Sequence, residues 1–371
     1  MKFSEMNDWF PDIKKPLIIA GPCSAETEDQ LYETSKKLKE QNINIIRAGI
    51  WKPRTRPNNF EGIGTEALKW IQNIKKELNV KFAIEVASPH HVFEAVKHGI
   101  DMLWIGARST VNPFTVQEIA DALNGLDIPV LVKNPINPDM SLWLGALERI
   151  SNAGVTKLGA IHRGFSSTQN TKYRNIPMWQ IPLELKSNMP NLPLICDPSH
   201  IAGNREMIFE ISQRALDLDY DGLIIESHRD PDNAWSDARQ QITPETLHEL
   251  LTKLKIRKAT SEDKEFINHL EDLRHQIDDI DRELFEAMAA RMRVVDKIAY
   301  YKKTNNVTVF QKNRWKEISE SRRKLALSLN LNPAFMDEMF KLIHDASIRR
   351  QTEIINAAET KEIADDKITQ K

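Results

Sequence analysis

The chain predicts an α/β fold: a closed (β/α)8 barrel with an all-helical domain behind it. Eight short apolar runs punctuate the first 228 residues, separated by stretches long enough for crossover helices. Nearly every run ends in a residue able to hold phosphate, carboxylate or metal. Beyond residue 264 the hydrophobic period changes to a heptad-like seam. The runs are Pro16–Ala20, Ile43–Ile46, Lys81–Ile84, Met102–Ile105, Pro129–Val132, Lys157–Ile161, Leu192–Ile195 and Gly222–Ile225. Buried parallel strands read as such continuous Val/Ile/Leu runs. In a (β/α)8 barrel, chemistry gathers at the C-terminal ends of the strands.

The domains follow from these patterns: 1–256 the barrel, 257–264 a polar linker (RKATSEDK), 265–356 the helical domain and 357–371 a polar tail. The last barrel helix starts at Thr243-Pro244, a cap followed by proline at the first helical position. A chain of 371 residues accommodates one large and one smaller domain. A net charge of −2 gives no basic field for nucleic acid. MKFSEMNDWF lacks an apolar signal core, and no run approaches the roughly 18 residues that cross a bilayer. Two cysteines do not suggest a disulfide scaffold. A soluble, cytoplasmic protein without membrane or nucleic-acid partners is expected. With barely 15 residues before the first run, no regulatory domain is expected ahead of the barrel.

Cys23 follows run one, His200 follows run seven, Glu226 ends run eight and Asp237 lies in the next loop. A barrel sets strands one, seven and eight side by side. A thiolate, an imidazole and two carboxylates there make a divalent-metal site of mixed softness. Mn²⁺, Fe²⁺, Co²⁺ and Zn²⁺ all suit it, with Mn²⁺ ahead. Cys196, inside strand seven, is assigned to the core. Arg47, Lys52, Arg54 and Arg56 follow run two, and Arg108, Lys133 and Arg163 follow runs four, five and six. So many desolvated cations in one cleft repel each other unless an anionic ligand compensates them. Two phosphorylated molecules, or one phosphate and one carboxylate plus another phosphate, are the expected ligands. Gly62-Ile-Gly64-Thr65 adds backbone N–H groups at a helix start. Glu85, ending run three, is either an acid–base group or a structural partner for a cation.

GPCS, RAGIWKPRTRP, GAR, VKN, DPSH and IES with an acid eleven residues on, in this order, resemble the metal-dependent DAHP (3-deoxy-D-arabino-heptulosonate 7-phosphate) synthases, which are TIM barrels. The resemblance covers the whole barrel. It implies condensation of phosphoenolpyruvate with erythrose 4-phosphate, the entry step to aromatic amino acids, with the metal as Lewis acid on the aldehyde. By resemblance Cys23, His200, Glu226 and Asp237 are the metal ligands. Arg47, Lys52, Arg108, Lys133 and Arg163 contact phosphoenolpyruvate, and Pro53, Arg54 and Thr55 hold the tetrose phosphate. Lys52 is the candidate proton donor to the new alkoxide, with Lys133 holding the carboxylate. The sister 3-deoxy-octulosonate 8-phosphate synthases carry an Asn-Arg-type motif where this chain has Lys-Pro-Arg-Thr. Ile161-His162 departs from a common Cys-Glu.

In the tail, Phe266, Leu270, Leu273, Ile277, Ile280 and Leu284 alternate spacings of four and three, and Ala287, Val294 and Ile298 extend the stripe. One helix of about 40 residues follows from this. Asn305-Asn306 ends it, and helices Gln311–Leu329 and Pro333 to about Ala357 come after. Arg291 interrupts the stripe, with Arg274 and Lys302 beside it. It either snorkels, pairs within a coiled-coil dimer, or meets a ligand carrying carboxylates. Ser347 and Gln351 share a face of the last helix. LRxxID, Arg291, Lys302, VFQKNR and SxxxQ together resemble the all-helical chorismate mutases, which are intertwined dimers. The resemblance implies that Arg274 acts across a homodimer. It also implies that Arg291 and Arg314 hold carboxylates, Lys302 and Gln351 bond the ether oxygen, and Gln311 and Ser347 complete the chorismate site. Gln311 and Trp315 stand where well-studied members carry acids. The expected protein is bifunctional, with feedback by prephenate or chorismate through the helices. The alternative is a helical domain that senses ligand and dimerises without turnover.

Overall fold

A computed structural model describes residues 3–10, 15–52, 60–168, 171–258 and 260–357. The chain divides into two compact units, Met1–Ala259 and Thr260–Lys371. In the first, eight parallel strands close into a barrel in sequence order, β1 pairing with β8. They are β1 Leu17–Gly21, β2 Ile45–Ala48, β3 Lys81–Val86, β4 Met102–Ile105, β5 Val130–Lys133, β6 Leu158–His162, β7 Leu194–Cys196 and β8 Gly222–Glu226.

Every strand but β4 extends past its apolar run, and Arg47, Glu85, Lys133, His162 and Glu226 thereby lie within β2, β3, β5, β6 and β8. Backbone pairing continues where hydrophobicity stops, as in Gly21 opposite Glu226 and Lys133 opposite Ile161.

Strand side chains alternate, giving the barrel two apolar layers. The interior holds Ile19, Ile45, Ala83, Met102, Trp104, Leu131, Ile161, Ile195 and Ile224. Met6, Trp9 and Phe10, from the segment before β1, join this cluster. The outer layer, with Phe82, Leu103, Val132, Ala160, Cys196 and Ile225, packs against the helices. Cys196 is fully buried there. Helix starts follow their capping residues: Thr243 Oγ1 accepts from Thr246 N (3.1 Å) ahead of Pro244–Lys253.

The second unit has a long helix Lys264–Thr304, a middle helix Lys312–Ser328 and a last helix Pro333–Asn356. Asp263 and Asn332 cap the first and last of these. Among the described residues the long helix buries side chains only near its C-terminal end, at Val295 and Ala299, where it packs against the last helix. The predicted stripe lies one position off this contact. Val294 and Ile298 are exposed, and so are Phe266, Leu273, Ile277, Ile280 and Leu284. A helix meeting a single neighbour turns one narrow face to it, and that face is the Val295 side. No helix is long and apolar enough among the described residues to cross a membrane.

Candidate active sites

The residues two positions beyond the barrel's interior side chains carry the chemistry. Ile45 precedes Arg47, Ala83 Glu85, Leu131 Lys133, Ile161 Arg163, Ile195 Asp197 and Ile224 Glu226. The two-residue period places each pair on one face, so these groups converge at the strand C-termini. One pocket there is lined by Cys23, Arg47, Lys52, Glu85, Trp104, Arg108, Lys133, His200, Glu226 and Asp237. It brings together the four proposed metal ligands and four of the five cations. Arg163 is not in its lining; its guanidinium donates to Asn175 Oδ1 (2.7 Å). Pro53, Arg54, Thr55 and Arg56 lie outside the described residues.

The four ligand candidates do not form a closed set. Among the described residues, no three His, Cys, Asp or Glu side chains are arranged to hold a metal ion. Cations are interleaved with them instead. Lys52 Nζ sits 2.7 Å from Cys23 Sγ, 2.8 Å from Ser24 Oγ and 3.0 Å from Ser236 Oγ. Arg47 Nη2 lies 3.1 Å from Glu226 Oε1, and Arg174 Nη1 3.0 Å from Asp237 Oδ1. The acids, packed together out of water, draw the cations inward. His200 Nδ1 lies 2.8 Å from Asp197 Oδ2, leaving Nε2 toward Glu226 Oε1 at 3.8 Å. Cys23 Sγ lies 3.3 Å from Asp237 Oδ2.

Burial pushes the Cys23 thiol up to about 12, and the Glu226 charge adds to it despite the nearby lysine. Burial works against ionising Glu226, yet His200 and Arg47 hold it below the usual carboxylate range. Asp237 is held down likewise, chiefly by Arg174. Burial also lowers His200, favouring the neutral imidazole that metals bind. The donor set fits a divalent ion. Glu226 Oε1 is fully buried and, beyond its ion pair with Arg47, accepts no hydrogen bond, and Glu226 lines the pocket with an imidazole and a thiol.

Three groups escaped the sequence reading as site residues. Trp104, fully buried, lies beneath Arg47 and Lys133 (5.2 and 5.7 Å to its ring), and its indole donates to Glu85 Oε2 (3.0 Å). Glu85 therefore has a structural partner, an indole. Gly106 makes room for it, since a Cβ there would lie 2.1 Å from Glu85 Oε1. Asp197, fully buried, pairs with Lys133 at 2.9 Å. Arg174 carried no sequence signal, because it lies in a loop far from any strand end. Strand alternation is the signal that could have found Trp104 and Asp197, each in register with an inward-facing neighbour two positions before it.

His162 has the opposite parity and faces the outer layer. Its Nε2 donates to Pro177 O (2.6 Å), and its Nδ1 accepts from Tyr220 OH (3.0 Å). Burial lowers its pKa to about 3. The unfolded chain takes up this proton below roughly pH 6.5, whereas the native ring resists to about pH 3. Between those values stability falls with falling pH, by up to about 1.4 kcal/mol per unit. Urea unfolding at pH 7 and pH 5, followed by tryptophan fluorescence, should show a smaller stability loss for His162→Gln than for the unsubstituted chain. Equal losses would exclude His162 as the titrating group.

In the helical unit, Arg291 Nη1 donates to Ser347 Oγ (2.7 Å), joining the long and last helices. Ser347 and Gln351 are buried, and Gln351 Oε1 has no hydrogen-bond partner. Lys302 Nζ donates to Val309 O. Arg314 bonds Glu317 on its own helix, Arg274 bonds Glu271, and both arginines are largely exposed. Gln311 is an exposed N-cap residue. Sequence reasoning missed Arg322 and His344. Arg322 stands over the Phe340 ring at 4.3 Å, and His344 packs on Trp315 at 3.9 Å between centroids. Burial lowers both, and Arg291 lowers them further, so these cations share one region. Their spacing was the available signal: Arg322 lies eight residues after Arg314, and His344 three before Ser347.

Residues 12–262 match the DAHP synthetase I family and residues 273–352 match chorismate mutase type II. A phospho-2-dehydro-3-deoxyheptonate aldolase of Thermotoga maritima is 30% identical over 238 residues, 64% of this chain and 68% of that protein. A 2-dehydro-3-deoxyphosphooctonate aldolase of Brucella ovis is 29% identical, over 64% of this chain and 88% of its own length. The crystal structure of the Thermotoga maritima DAHP synthase superposes with a TM-score of 0.61 at 27% identity, covering 68% of this chain and 72% of that one.

Proposed function

The chain belongs to the DAHP synthetase I family and carries a chorismate mutase type II domain behind its barrel, and from that premise we propose which groups do the work. It is a bifunctional enzyme of aromatic biosynthesis. It forms DAHP and phosphate from phosphoenolpyruvate, erythrose 4-phosphate and water, and it converts chorismate to prephenate.

The barrel reading rests on one observation: thiol, imidazole, carboxylates and cations open on a single pocket at the strand C-termini. Cys23, His200, Glu226 and Asp237 hold one divalent ion, Mn²⁺, Fe²⁺, Co²⁺ or Zn²⁺. When bound it supplies Lewis acidity at the aldehyde oxygen. Arg47, Arg108 and Lys133 take the phosphate and carboxylate of phosphoenolpyruvate, and Arg163 adds its charge from the neighbouring strand end. Asp197 fixes Lys133, and the Trp104 ring closes the floor to water. Lys52 donates the proton that quenches the new alkoxide, while Pro53, Arg54 and Thr55 take the second phosphate.

Phosphate release with phosphoenolpyruvate and either erythrose 4-phosphate or arabinose 5-phosphate tests the substrate pair. The tetrose should give the faster turnover. Preference for the pentose would move the barrel to the chemistry of the octonate relatives. Exhaustive chelation should abolish release, and added Mn²⁺ should restore it. Undiminished activity after stripping would refute the four ligands.

In the helical unit, Arg291, Arg314 and Arg322 present guanidinium forks to the two carboxylates of chorismate, and Gln311 lies at the rim. Lys302 and the Gln351 amide bond the ether oxygen. The rearrangement is pericyclic, so positioning and electrostatics suffice. The exposed row Phe266, Leu273, Ile277, Ile280 and Leu284 is covered by the same helix of a second copy, which brings in Arg274. Ile277→Glu with Ile280→Glu should convert a dimer to a monomer in sedimentation and lose chorismate turnover. A dimer that persists, fully active, would rule this out. Prephenate added to the barrel assay should slow DAHP formation. If a folded chain turns over no chorismate, the helices are a sensing module instead. A cytoplasmic location suits both reactions.

A further inference from the structure

We propose that Arg174 and Gln240 form a clamp that turns the two metal-binding carboxylates toward Cys23 and His200. This rests on the metal reading above. Gln240 is almost fully buried at 1% exposure, and both ends of its amide are used. Its Nε2 donates to Glu226 Oε2 (2.6 Å), and its Oε1 accepts from Arg174 Nη1. The same guanidinium nitrogen donates to Asp237 Oδ1 (3.0 Å). One arginine–amide unit thus holds one oxygen of each carboxylate.

The other oxygens face the remaining ligands. Glu226 Oε1 lies 3.8 Å from His200 Nε2, and Asp237 Oδ2 lies 3.3 Å from Cys23 Sγ. Outer hydrogen bonds of this kind orient metal ligands and limit the geometries they adopt. Asp237 has a left-handed backbone (φ 49°), a conformation unfavourable for a non-glycine residue that the surroundings must hold in place.

Arg174 is itself tied to the segment carrying His200. Its backbone N–H donates to Ile201 O (3.1 Å), and its side chain lies against Gly203, where a Cβ would come within 2.4 Å of Arg174 Cβ. Next to it, Asn175 Nδ2 donates to His200 O (2.6 Å). One short stretch of loop therefore sets three of the four ligands. Arg174 and Gln240 touch no reacting atom and are positioning residues.

Cobalt titration of the full-length protein reads the geometry directly, because the visible bands of bound Co²⁺ report coordination and its thiolate charge-transfer band reports Cys23. Gln240→Leu removes both amide bonds at similar volume. It should weaken Co²⁺ binding about 10–100-fold and shift the visible bands. Arg174→Met should shift them too, and the double variant should lose less than the sum of the two. Chorismate turnover of each variant controls for an intact chain. If Gln240→Leu does not fold, Gln240→Glu, which keeps an acceptor for Arg174 but no donor for Glu226, serves in its place with the same expected shift. Wild-type affinity and spectra in the folded variant would overturn the clamp. No stoichiometric Co²⁺ binding by the unsubstituted protein, or a charge-transfer band surviving Cys23→Ala, would overturn the metal reading instead.

Discussion

Lys52→Met should lower kcat for DAHP formation by about 10²–10³-fold, the usual effect of losing one group that stabilises developing charge. Chorismate turnover should stay intact. Among the described residues the ammonium donates to Cys23 Sγ, Cys23 O, Ser24 Oγ and Ser236 Oγ, and its charge also reaches Asp237. On the proposed mechanism, this hydroxyl- and thiol-bonded ammonium is the group available to a nascent alkoxide. Met keeps the stem and removes the charge, so the pocket wall should survive. A lysine beside the thiol also opposes a divalent ion at the same sulfur by like-charge repulsion. Metal affinity should accordingly be undiminished in Lys52→Met, which separates a proton donor from a residue that builds the metal site. Near-normal turnover at saturating substrates would assign the proton elsewhere.

Arg291→Ala should cost the mutase about 10²–10³-fold in kcat/KM while leaving DAHP formation unaltered. Burial disfavours the Arg291 charge, and among the described residues no carboxylate forms an ion pair with it; its bond to Ser347 Oγ is neutral. A guanidinium held in this way is poised for an anionic ligand. Arg291→Lys keeps the charge but loses the fork, so it should recover only part of the activity. Unchanged chorismate kinetics in Arg291→Ala would shift carboxylate binding to Arg314 and Arg322.

Much of the barrel site was legible because strand periodicity is rigid. Once Ile45, Leu131 and Ile224 face inward, Arg47, Lys133 and Glu226 must do so as well. The same rule turns His162 away, and its neutral ring anchors Pro177 instead of lining the pocket. Loop residues obey no such period. Arg174 and Gln240 therefore carried no signal, although they bond both carboxylates. In the helical unit the heptad spacing foretold one long helix, and Lys264–Thr304 is that helix. It did not foretell which face meets the last helix. Leu284 and Ile298 are exposed while Val295 and Ala299 are buried, because a stripe broad enough for several neighbours leaves the choice of neighbour open.

By itself the sequence determined that strands and crossovers close into a barrel, and which residues stand at each strand's end. It also determined that charge interrupts an apolar seam in the tail. These are local properties, set by periods of two and of three to four residues. Tertiary structure alone decided which polar groups meet: Lys52 with Cys23, Arg47 with Glu226, Arg174 with Asp237, and Arg291 with Ser347. Those partners lie from 29 to 179 residues apart in the chain. Ion pairing and hydrogen bonding act over a few ångströms of space, a distance that only the closed fold fixes.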